Sequence, residues 1–84
     1  MNSKLISKNG LINDADRLYN RICNKSIMLT NNVSDDIEIH EIATQAIEDA
    51  SWIHEYIIAD KRTRRELMKG LGMLRNAYRT IRDL

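Results

Sequence analysis

Six residues, Ile39, Ala43, Ala46, Ala50, Ile53 and Ile57, recur at alternating intervals of four and three. That spacing gathers them on one face of an α-helix, whereas a strand sends every second residue to the opposite face. Three consecutive alanines on the stripe let a neighbouring helix axis come close. The rest of the chain repeats the pattern. Leu11, Ala15, Leu18 and Ile22 follow four-three-four spacing, and Ile27, Met28 and Leu29 are expected to finish that stripe. Leu67, Leu71, Leu74, Tyr78 and Ile81 form a third. No proline, no phenylalanine and only three glycines argue against a turn-rich β fold. The expectation is an all-α protein, a helical hairpin plus a third helix, with helices over about 11–30, 35–59 and 64–83.

The punctuation between stripes is local. Asn9 or Asn13 is expected to cap the first helix, and Asn31-Asn32-Val33 to end it. Ser34 is expected to cap the second, with Asp35, Asp36 and Glu38 where the helix dipole favours negative charge. The pattern breaks near Asp60. Thr63-Arg64-Arg65-Glu66 then has the spacing of a capping box. Without a proline between them, the second and third helices form either two elements or one bent helix.

Eighty-four residues make a single small domain, 1–84, which buries only about 60% of its unfolded surface. A homo-oligomer is the expected remedy, because a partner subunit covers apolar surface that a monomer leaves wet. Trp52 and Tyr56 lie off the second stripe, where they either complete the core or meet another subunit. A lone cysteine, Cys23, excludes an internal disulfide framework and suits a reducing compartment. The first eight residues have no apolar run of the signal-peptide kind, and no window approaches a membrane span. A cytoplasmic protein is expected.

A net charge of +1 conceals strong segregation. Residues 31–60 hold the acids Asp35, Asp36, Glu38, Glu41, Glu48, Asp49, Glu55 and Asp60, with no Lys or Arg. Residues 61–84 hold Lys61, Arg62, Arg64, Arg65, Lys69, Arg75, Arg79 and Arg82 against Glu66 and Asp83. Either the two segments neutralise each other, within or between subunits, or the bases are kept for a ligand. On the third helix, Arg65, Met68, Gly72, Arg75, Arg79 and Arg82 share one stripe. Arginines forking over a glycine suit a phosphate-bearing ligand that approaches the backbone. Arg17, Arg21 and Lys25 form a second basic line four residues apart, with Tyr19 and Cys23 beside it. The two lines meet if the helices pack in the right order. Duplex nucleic acid is the poorer ligand, since the acidic helix repels a long polyanion while a small anion avoids it.

The chemistry of catalysis is not written in this sequence. It has no glycine-rich phosphate loop, nucleophile elbow or metal-ligand spacing. His40 and His54 stand fourteen apart without the preceding glutamates of a di-iron bundle. Glu48 and Asp49 are adjacent and point to different helix faces. No cofactor and no enzymatic role are expected.

Two segments carry a resemblance. Asp16-Arg17-Leu18-Tyr19-Asn20-Arg21-Ile22 with Lys25, followed after an acidic turn by Ala46-Ile47-Glu48-Asp49-Ala50-Ser51-Trp52-Ile53, resembles the helical hairpin of the phage anti-CBASS cyclic-oligonucleotide sponges. The resemblance covers about residues 14–58, and the basic third helix lies outside it. It implies a small helical protein that assembles into oligomers, typically hexamers. Such proteins sequester cyclic di- and trinucleotides without cleaving them, and so silence an abortive host defence. It also implies that Lys25 contacts the ligand. Taken with the basic stripes, the expected ligand-binding residues are Lys25, Arg21, Arg17, Tyr19, Arg75, Arg79 and Gly72, with the cations on the phosphates and Tyr19, Trp52, Tyr56 or Tyr78 covering bases. A different class of function fits the same stripes and charges, namely a phage-type regulator docking a helix onto a host or phage protein, as an antiholin or a defence-enzyme inhibitor would.

Overall fold

The computed structural model describes residues 7–32, 36–59 and 61–84. It has three helices, α1 (Lys8–Asn32), α2 (Ile37–Ile58) and α3 (Arg64–Arg82), and no strand among the described residues. They pack as one small bundle around a shared core. The residues expected to turn and cap between α1 and α2, Val33 and Ser34, lie outside the described residues, as does Asp60.

α1 starts earlier than the apolar stripe suggests. Ser7 Oγ accepts from the Gly10 N–H at 3.0 Å, and the Ser7 carbonyl accepts from Leu11 N–H at 3.0 Å. Ser7 therefore caps the helix, and Asn9 and Asn13 fall inside it. Leu11, Ala15, Ile22 and Leu29 are buried, and Leu18 is half-buried against them. Ile27 and Met28 do not finish the stripe. They are 51% and 46% exposed. Three successive helical residues span about 200° of arc, so only one of Ile27, Met28 and Leu29 can face the core. The position that keeps the seam's register between Ile22 and Leu29 is Ser26, which is fully buried.

α2 carries the clearest seam. Ala43, Ala46, Ala50, Ile53 and Ile57 are buried, with Ile39 partly so. Asp36 caps the helix, its Oδ1 accepting from Ile39 N–H at 3.2 Å. α2 and α3 are separate helices. Ala59 leaves α2 in an extended conformation, and Lys61 turns the chain at φ 66°. The Arg62 guanidinium lies 3.9 Å from the Tyr56 ring centroid while its Nε donates to the Tyr56 carbonyl at 2.8 Å. One side chain thus clamps the end of α2 to the turn.

The capping box at the start of α3 forms as its spacing predicts. Thr63 Oγ1 accepts from Glu66 N–H at 3.1 Å, and Glu66 Oε1 accepts from Thr63 N–H at 2.8 Å. The bond from the Thr63 backbone, with help from its hydroxyl and from Arg62, holds the Glu66 carboxyl below its ordinary range. Leu67, Leu71, Leu74 and Ile81 are buried as expected, and Gly70 and Ala77 join them, while Tyr78 is half-buried.

Contacts fix the helix directions. Asp16 meets His54 and Tyr19 meets Ser51, so α1 and α2 run antiparallel. Gly70 lies against Ile57, while Met73, Asn76, Ala77 and Thr80 share a groove with Asp49, Trp52 and Ile53, so α2 and α3 are antiparallel too. α1 and α3 are therefore parallel neighbours, which brings the two basic lines to one seam.

Candidate anion-binding cleft between the first and third helices

Leu18 of α1 and Leu71 of α3 pack at the seam and floor a cleft of about 200 Å³. Its walls are Asp14, Arg17 and Arg21 from α1 and Arg75 from α3. The placement follows from helix periodicity. Arg17 and Arg21 are one turn apart and so share a face, and Arg75 stands one turn beyond Leu71. The one carboxylate in the cleft belongs to α1. Asp14 Oδ1 lies 3.7 Å from an Arg17 terminal nitrogen, with that arginine's side chain 79% exposed. A pair so long and so wet is worth little. Among the described residues, Arg21 and Arg75 make no ion pair, and Arg17 pairs only with Asp14 of its own helix. Among the described residues, the three cleft arginines are therefore not tied to carboxylates of α2.

Three guanidiniums against one carboxylate make the cleft net positive. Arginine presents a planar fork of donors that matches two oxygens of a phosphate or carboxylate at once. The cleft is below the roughly 300–1,000 Å³ that enclose a whole small-molecule ligand. Its size suits one phosphate-sized group, with the remainder of a larger molecule lying outside.

The other expected site residues are placed elsewhere. Lys25, one turn past Arg21, donates from Nζ to the Leu84 carbonyl at 3.1 Å, toward the far end of the same seam. Arg79 donates to Asn76 Oδ1 at 3.2 Å. Gly72 is next to Leu71, but a Cβ built there meets nothing within 4 Å among the described residues, so no close approach there requires its being glycine. Tyr19 faces α2. Its ring stacks on His54, with centroids 4.4 Å apart and planes 7° from parallel, and its hydroxyl is 3.5 Å from Ser51 Oγ. His54 Nε2 donates to Asp16 Oδ1 at 2.6 Å, since an ionised carboxylate can only accept. Of the seven expected residues, the structure gathers Arg17, Arg21 and Arg75. Asp14 joins them without having been singled out, and Leu18 and Leu71, expected as seam residues, turn out to line the site as well. Asp14 is signalled only by standing three before Arg17.

Two further depressions differ in character. The larger, about 750 Å³, runs along α2 beside Asp36, Ile37, Glu41 and Glu48, where acidic walls disfavour an anion. The third, about 330 Å³, lies between α2 and α3 around Trp52. Among the described residues, no group of three metal-ligating side chains is found. No described helix is long and apolar enough to cross a membrane.

No protein family, no curated protein and no solved structure matches this chain.

Proposed function

We propose that this chain is a non-catalytic binding protein that sequesters a cyclic di- or trinucleotide second messenger and thereby blocks host antiphage signalling. The observation that carries the reading is the convergence of Arg17, Arg21 and Arg75 on one small cleft, with no ion pair to α2 among the described residues. A ring of phosphodiesters offers such a cleft one charged group at a time, and arginine forks hold it without any bond being made or broken. The remainder of the ring lies along the α1–α3 seam toward Lys25, or is covered by a second copy in a homo-oligomer. Calorimetric titration of the folded protein with a panel of cyclic di- and trinucleotides tests the proposal. Heat from one or more supports it, and no heat from any removes it.

One observation favours a second reading, a helical regulator docked on a host or phage protein. Ile37 is 75% exposed at the rim of the acidic α2 depression. An apolar side chain ringed by carboxylates suits a basic amphipathic helix of a partner. A stoichiometric protein partner that survives nuclease treatment and dialysis supports this reading, and its absence leaves the cleft as the better account.

A further inference from the structure

We infer that the groove between α2 and α3, centred on Trp52, is a self-complementary interface that takes a second copy of this chain. Trp52, the only tryptophan, is 52% exposed and lines the groove with Ile53, Met73 and Ala77. Asp49, Asn76 and Thr80 complete the lining, and a half-wet indole beside Ile53, Met73 and Ala77 is the kind of anchor that dominates association when a partner dries it. Among the described residues, nothing within the chain covers its exposed half.

The occupant follows from charge. Outward of Trp52, α2 carries Glu48 and Glu55, both exposed. Outward of Met73, α3 carries Lys69 and Arg79, also exposed, the latter bonded to Asn76 on the groove's wall. One flank of the groove is thus acidic and the other basic. A surface built this way is complementary to itself turned over, which is the requirement of a two-fold interface.

The levels agree. α2 and α3 are antiparallel, with Ile57 beside Gly70, so Glu55 stands near the level of Lys69 and Glu48 near that of Arg79. A two-fold axis along the groove lays α2 of one copy over α3 of the other at the same levels. Glu55 then faces Lys69 of the second copy, Glu48 faces its Arg79, and the two Trp52 rings and Met73 side chains fill the middle. The Arg17–Arg21–Arg75 cleft is on the α1–α3 seam and stays open in this dimer, so the interface stands whether or not a nucleotide binds there.

Sedimentation velocity across a concentration series, read together with Trp52 fluorescence, tests the interface. Wild type is expected to dimerise as concentration rises, with the single emission band moving to the blue over the same range. Trp52→Ala should weaken the dimer at least about tenfold. Asn76→Glu, an exposed change that sets a carboxylate against the partner's acidic flank, should do the same while keeping wild-type helicity, and decides the matter if the tryptophan variant does not fold. Glu48→Arg should weaken the dimer and Glu48→Arg combined with Arg79→Glu should restore it. A wild-type chain that stays monomeric with unshifted emission overturns the inference. So does a dimer of unchanged affinity in both Trp52→Ala and Asn76→Glu, because its interface is then another face.

Discussion

Gly70 lies so close to Ile57 that a Cβ built on it stands 2.6 Å from Ile57 Cγ1. Cγ1 is an inner atom of a fully buried side chain, so the contact cannot be relieved by swinging a free end. Gly70→Ala is expected to cost about 1–3 kcal/mol through overpacking at the α2–α3 crossing. Gly72→Ala, two residues on in the same helix with open space around it, is expected to stabilise by about 0.5–1 kcal/mol, because alanine has less backbone freedom to lose. Thermal melts of the two variants should therefore move in opposite directions, and a shared direction would contradict the crossing described here.

Ser26 occupies a core position of α1, and its buried hydroxyl has no hydrogen-bond partner among the described residues. An unsatisfied buried hydroxyl costs about 1–3 kcal/mol, and alanine removes it with little change in volume. Ser26→Ala should raise the melting temperature, corresponding to a gain of about 1 kcal/mol. A fall instead would mean that the hydroxyl does find a partner in solution.

Ala46 is one of the three successive alanines that keep α2 close to its neighbours, and it is 3% exposed. Ala46→Leu should destabilise by about 1–3 kcal/mol. A chemical-denaturation midpoint equal to wild type would show slack in the core that the packing does not suggest.

Glu66 carries the pH dependence that can be isolated. Its carboxyl is held below its ordinary 4.5, first by the Thr63 backbone N–H. A lowered carboxylate pKa means that folding favours the ionised form. The contribution is therefore present above the unfolded value and lost as pH falls below 4.5 through the folded value. Glu66→Gln keeps the capping geometry but not the charge. The stability difference between wild type and this variant should be largest near neutrality and shrink on acidification below 4.5, and a difference independent of pH would contradict the assignment.

What the sequence reveals here depends on how far apart the interacting residues are. The α2 seam and the Thr63–Glu66 box are local, and their spacing alone identifies them. Ile27 and Met28 mislead because apolar character says nothing about direction when three such residues are consecutive. Ser26 is the converse, a polar residue whose register places it inside. Of the two glycines on α3, Gly72 draws attention by standing among arginines, yet Gly70 is the one on the seam, three after Leu67 and four before Leu74. The site shows the same division. Each basic line is readable along its own helix, but their meeting at Leu18 and Leu71 depends on α1 and α3 being parallel neighbours, which periodicity does not encode. Tyr19 is a further case, because its partner His54 lies thirty-five residues away on another helix.

If Arg17, Arg21 and Arg75 hold one phosphodiester of a compact cyclic nucleotide, removing one of the three guanidiniums weakens binding. The most direct measurement is calorimetric affinity for the tightest-binding cyclic nucleotide, compared among wild type, Arg75→Ala and Lys25→Ala, with particle size followed by light scattering. Affinity is expected to fall by at least about tenfold in Arg75→Ala, consistent with about 1.5–3 kcal/mol for a hydrogen bond to a charged group. A smaller loss is expected in Lys25→Ala, whose amine is engaged with Leu84, and an unchanged particle size in both. Affinity equal to wild type in Arg75→Ala, with the variant folded and assembled as before, would contradict this role of the cleft.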